Sequence, residues 1–170
     1  AGSEAAVFLA RHGVHVVLAE SKTKAPNPSQ KLTTFAELVC TNSLKSKDPN
    51  SGHGLLKYEM RGLGSLVLEI GEMTSVPAGD ALAVDREVFS SKMSEVLNNH
   101  KFIEVIECNV SDPIILAKEY KCSYIIIASG PLTTKPLESW MVENLSSDDF
   151  YFYDAIAPIA VSYTHLTLPT

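Results

Sequence analysis

Apolar and polar positions follow two different periods along this chain, and the changes of period divide it into elements. In the opening "AGSEAAVFLARHGVHVVLAE", Ala5, Ala6, Phe8 and Leu9 give a helical face, and Gly13 stands where a helix C-terminal stop belongs. Val14 to Leu18 is then short and continuously apolar, the pattern of a buried strand. Helical period resumes at Gly54-Leu55-Leu56 and runs through Leu68, with Gly62 and Gly64 predicting a break between two short helices. "VPAGDALAVDREVFSSKMSEVLNNH" predicts a turn and then a helix capped by Asp85, with Glu87 in the first turn. Its inward stripe is Val88, Phe89, Met93, Val96 and Leu97. Phe102 to Val110 alternates as a strand, and Tyr124 to Ile127 is a short all-apolar strand running into Ala128-Ser129-Gly130. Between Lys22 and Ser51 no period holds. A long loop rich in Pro, Ser, Thr and Lys is expected there, interrupted by the apolar turn that carries Cys40.

A short helix followed at once by a buried strand that closes on an acid, Glu20, matches the second half of a βαβ dinucleotide-binding unit. On this reading Gly2 is the third glycine of G-x-G-x-x-G, and the helix N-terminus at Ala1 and Gly2 faces a pyrophosphate. Glu20 accepts hydrogen bonds from an adenosine ribose. An initial glycine and a strand-ending acid also occur in α/β proteins that bind no nucleotide, so the half-motif leaves both readings open. The small residues Ala128, Ser129 and Gly130, placed straight after an apolar strand, let a cofactor approach the backbone and tip the balance toward a flavin. The expected fold class is α/β, a two-dinucleotide-binding, Rossmann-like FAD domain that lacks its first strand. A domain without that central strand is expected to be unstable and inactive on its own.

Composition adds limits. With 170 residues, 45% of them hydrophobic, the chain has enough apolar material for one packed core. A net charge of -6 argues against a dedicated nucleic-acid-binding domain. Lys22 to Lys47 nonetheless holds five lysines against one acid, Glu37, and is read as a solvated loop. Cys40, Cys108 and Cys122 have no C-x-x-C spacing, so neither a disulfide framework nor a zinc ribbon is expected, and no metal site is assigned. A reducing, cytoplasmic setting fits, and no apolar run reaches the ~20 residues that span a bilayer. The closing "SYTHLTLPT" continues no period and looks like translated adaptor sequence. The expected native domain is therefore 1–161, with 162–170 foreign.

Five motifs in order, "FAELVCTNSLKS", "GLLKYEMRGLGSLVLE", "VPAGDALAVDR", "ASGPLT" and "YFYDAIAPI", resemble the bacterial folate- and flavin-dependent tRNA (uracil-5-)-methyltransferases. The resemblance covers Ala1 to about Ala160 and implies an N-terminal fragment of such an enzyme. It implies FAD reduced by NADH or NADPH, 5,10-methylenetetrahydrofolate as the carbon donor, and tRNA as the partner, methylated at C5 of the T-loop uridine. It also implies that Cys40, the cysteine of the "ELVC-N-S" motif, is one of two catalytic thiols, the second lying outside these residues. The chemistry suits a thiol, since C5 of uracil is a poor nucleophile until a thiolate adds at C6, and a thiolate can also remove the C5 proton. Cys108 and Cys122 are read as packing residues.

The chain departs from the family pattern in two places. "PNPSQKLTT" stands where the family has a histidine-bearing stretch, and Asp80 stands where glycine is usual, which raises the prospect of a left-handed backbone at Asp80. Three other readings remain open: the same chemistry on ribosomal RNA, the related flavoprotein that modifies wobble uridines, and a non-catalytic FAD- or NAD-binding module with Cys40 inert.

Overall fold

The computed structural model describes residues 1–145; the "YFYDAIAPI" motif and the expected foreign segment 162–170 lie outside the described residues. The class is the expected one, a mixed α/β, Rossmann-like arrangement containing a parallel strand pair. Helix α1 (Gly2–Arg11) leads into strand β1 (Val16–Glu20), which pairs in parallel with β5 (Ile103–Glu107), Val16 opposite Ile103 and Glu20 opposite Glu107.

Gly13 does end α1. Its φ of 79° lies in the left-handed region that glycine enters without Cβ strain, and its N–H reaches Ala10 O while that of Val14 reaches Leu9 O, a Schellman stop. The stop consumes Val14, so β1 begins two residues later than the apolar run suggests. The buried face of α1 is Ala6, Val7 and Ala10. Phe8, expected inward, is 48% exposed and packs its ring on His12 at the surface instead.

The segment between the two parallel strands builds a second, antiparallel sheet in the order β2 (Ser43–Ser46), β4 (Ala81–Val84), β3 (Ser75–Val76). The long-loop expectation missed β2, and the turn expectation missed β4. Lys45, with φ 68°, sits in the register shift between Ser43 and Ser46, as a bulge residue does. Asp80 is not strained: the left-handed residue of that turn is Gly79.

The paired helices occur as expected. α2 (Gly52–Gly62) ends in a second Schellman stop at Gly64, and α3 (Leu66–Met73) follows under a Ser65 cap. Asp85 caps α4 (Arg86–Asn99) by accepting from the amides of Glu87 and Val88. Phe89, Met93 and Leu97 are buried on that helix, Val96 is half-buried, and Val88, expected inward, is 44% exposed. Two helices went unread: α5 (Pro113–Glu119), started by an Asp112 cap with proline at its first position, and α6 (Lys135–Leu145).

Tyr124 to Ile127 is a correction. The segment forms no strand among the described residues, and its four side chains are exposed, Tyr124 at 90%. A strand exists only by pairing, and no described strand lies in register beside it. The core lies between α1, α3, α4 and the parallel pair, centred on Val7, Ile70, Val84, Phe89, Met93, Leu97 and Ile103, and it takes in Phe35 from the loop before Cys40.

Candidate functional site

The residues expected to hold a nucleotide are brought together in part. A Cβ on Gly2 would stand 3.4 Å from the Ala128 Cβ, so the start of α1 and the small-residue run are in close approach. No side chain caps α1: Ala1 at the cap position offers none, which leaves the first-turn amides without a side-chain acceptor. Ser129 and Gly130 follow in a turn tied by Thr133. The Thr133 hydroxyl donates to Gly130 O at 2.8 Å, so the Ser129 hydroxyl, also at 2.8 Å, donates to Thr133.

Glu20 is the last residue of β1. Because the tight stop at Gly13 reverses the chain, the carboxyl end of β1 and the N-terminus of α1 lie at the same end of the unit, where ligands of doubly wound sheets bind. One Glu20 oxygen, Oε1, accepts from the backbone N–H of Lys22 at 2.9 Å. An uncapped helix N-terminus with amide donors, small residues at Gly2 and Ala128, and an acceptor carboxylate at the strand end form a set that fits a dinucleotide.

Cys40 is exposed and lies on a short span fixed on both sides. On one side, Lys22 is buried, and its Nζ donates to Thr34 O at 2.6 Å and lies 3.4 Å from Glu37 Oε2. The other oxygen of Glu37 accepts from the amides of Lys31 and Leu32 at 2.7 and 3.1 Å. Buried serines of α4 grip the same segment. Ser90 Oγ donates to Phe35 O at 2.6 Å and accepts from Thr34, while Ser94 Oγ accepts from the amide of Phe35 at 2.7 Å. On the other side, Asn42 exchanges two bonds with Val84: its O accepts from the Val84 amide at 2.9 Å and its Nδ2 donates to Val84 O at 3.1 Å. An open groove of about 540 Å³ adjoins this end, lined by Asn42, Val76, Val84, Asp85, Arg86 and Glu87.

The lysine-rich segment is therefore not simply solvated: Lys22 is one of its five lysines and is buried against the segment's one acid. Lys22, Glu37 and Asn42 are the organisers that sequence reasoning missed. Glu37 and Asn42 stand inside the quoted "FAELVCTNSLKS" motif, which was the one available signal; the spacing of Lys22 offered none.

Cys108 follows β5, with its amide on Glu20 O, and is half-buried. Burial, and secondarily the Glu119 carboxylate, push its thiol above the ordinary value. Cys122 is half-buried, with its sulfur 3.8 Å from Tyr120 O. Among the described residues no group of three or more His, Cys, Asp or Glu is placed to hold a metal, and no helix is long and apolar enough to cross a membrane.

The chain is 48% identical over 158 residues to the Methylenetetrahydrofolate--tRNA-(uracil-5-)-methyltransferase TrmFO of Persephonella marina, covering 93% of this chain and 35% of that protein. It is 44% identical over 162 residues to the protein of the same name from Geobacter sulfurreducens, covering 95% and 36%. The Staphylococcus aureus (strain JH9) protein of that name is 45% identical over 159 residues, covering 94% and 35%. The chain thus spans about a third of the length of the curated relatives it matches. The family profile described as glucose inhibited division protein A matches residues 1–164, and the chain belongs to that family.

Proposed function

We propose that this chain is the FAD-binding part, residues 1–161, of an enzyme that methylates C5 of a tRNA uridine with carbon from 5,10-methylenetetrahydrofolate. The observation that carries the reading is the anchoring of an exposed thiol, Cys40, to the carboxyl end of β1, through Lys22 two residues after Glu20, in a chain similar along its length to proteins named for this reaction. When bound, FAD supplies reducing equivalents, renewed from NADH or NADPH. The amides at Ala1 and Gly2 hold the pyrophosphate, Ala128, Ser129 and Gly130 leave room for the cofactor, and Glu20 accepts from a ribose hydroxyl. Cys40 acts on the base, either adding as thiolate to C6, which makes C5 nucleophilic, or removing the C5 proton. The T-loop uridine is the site we assign, and the cytoplasm is where the reaction takes place.

The test is Cys40→Ala in the complete protein, assayed for methyl transfer to unmodified tRNA and to ribosomal RNA. We expect transfer to tRNA to fall by at least about a hundredfold with FAD still bound. Undiminished transfer with FAD retained would remove Cys40 from the chemistry, and transfer to ribosomal RNA alone would reassign the substrate.

A further inference from the structure

We propose that the buried Lys22–Glu37 pair is a positioning latch that ties the Cys40 loop to the carboxyl end of β1. The inference rests on reading Cys40 as the reactive thiol. Lys22 has two attachments: its backbone amide donates to Glu20, and its Nζ reaches across the loop to Thr34 O and Glu37. Glu37 lies three residues before Cys40 and gathers the amides of Lys31 and Leu32 on its second oxygen. One ion pair thus joins the acid proposed for the cofactor ribose to the segment that carries the thiol.

Two features separate this pair from an ordinary surface ion pair. Both side chains are nearly inaccessible, at 6% and 7% exposure, whereas the other ion pairs among the described residues each include a side chain that is at least half exposed. The residue just before Glu37, Ala36, is held at φ 55°, a left-handed conformation that a non-glycine residue keeps only when its surroundings impose it. Strain next to a buried charge, three and four residues before an exposed thiol, marks a loop fixed for placement. With the pair absent, Phe35 and Asn42 would still hold the two ends of the span from Ala36 to Thr41 and Leu38 would still pack on the core, but the tie from that span to the end of β1 would be gone.

The test is the rate of iodoacetamide alkylation at each cysteine of the complete protein, read by peptide mass spectrometry, in wild type, Glu37→Gln, Lys22→Met, Lys22→Arg and the double variant Lys22→Met/Glu37→Leu. The double variant leaves no unpaired buried charge, so it decides the matter if the single variants do not fold. We expect Cys40 to be alkylated at least about threefold faster when the pair is lost, with Cys108 unchanged in the same molecules and Lys22→Arg close to wild type. An unchanged Cys40 rate in the double variant, an equal rise at Cys108, or a Lys22→Arg rate matching Lys22→Met would overturn the latch. None of these readings depends on methyl transfer, so a latch that fails and a catalytic thiol that fails are told apart.

Discussion

The two halves of the candidate site are held in opposite ways. At the carboxyl end of β1 the framework is regular: five parallel partners from Val16–Ile103 to Glu20–Glu107, a helix stopped by glycine, and an approach of Gly2, which has no side chain, to the small Ala128 methyl. The Cys40 loop from Lys22 to Asn42 has no regular structure and is held by side chains: a buried ion pair, two buried serines, one buried phenylalanine and an asparagine. A backbone ladder tolerates many side chains, whereas a loop organised by polar contacts fails when one partner is lost. The site thus pairs a robust platform with a loop whose geometry depends on a few residues.

The largest effect should come from breaking the buried pair on one side. Glu37→Gln removes the counter-charge of the Lys22 cation and sets a side-chain NH2 either against Nζ or against the amides of Lys31 and Leu32, and we expect a loss of about 3 kcal/mol in urea unfolding of the complete protein. A loss below about 0.5 kcal/mol would mean that water reaches the pair and that the loop is no more fragile than the platform. Ser90→Ala should come next. Ser90 is fully buried, and its removal strands Phe35 O and the Thr34 hydroxyl, at a cost of about 2 kcal/mol by the same measurement.

How much of this was legible follows the same division. The platform announced itself because glycine and aspartate act locally: Gly13 and Gly64 stop helices by their own geometry, and Asp85 caps α4 two and three residues ahead. Where local signals met non-local pairing, the reading failed. Ala81–Val84 is a strand because Ser43–Ser46, some forty residues earlier in the chain, pairs with it, and Tyr124–Ile127 is not one because nothing described pairs with it. The loop was the least legible. Nothing in a run of five lysines says which one is buried, since the partner acid is fifteen residues away and the reason is tertiary.

On the platform side the expected effect is smaller and appears only at high pH. The folded state raises the Cys108 thiol through burial and the nearby Glu119 carboxylate, so it keeps a proton that the unfolded chain has already released. The associated stability is complete below the unfolded thiol's value, about 8.5 to 9, and is lost as pH rises through the higher folded value. Lys57, lowered by burial, works in the opposite sense over an overlapping alkaline range. Tyr120, raised by burial and by neighbouring negative charges that include the Cys108 thiolate, adds to the alkaline decline. The difference between wild type and Cys108→Ala therefore reports the thiol together with its coupling to Tyr120: the alkaline decline should be shallower in the variant, with the two curves parallel at neutral pH. Equal slopes throughout would mean that the thiol does not hold its proton in the fold.

The smallest effect sharpens the comparison most, because it alters the loop without removing a hydrogen bond or an ion pair, only one partly buried methyl. Ala36 sits at φ 55° between buried Phe35 and the latch acid Glu37. Glycine relieves the left-handed strain, worth about 1 to 2 kcal/mol, but adds unfolded-state freedom worth about 0.5 to 1 kcal/mol. Ala36→Gly should therefore stabilise the protein by at most about 1.5 kcal/mol. If the flanking contacts dictate the conformation, the backbone path and the Cys40 alkylation rate should stay as they are while stability rises slightly. A faster Cys40 rate in this variant would show that the alanine itself restrains the loop, and that the side-chain contacts on either side are not sufficient to place the thiol.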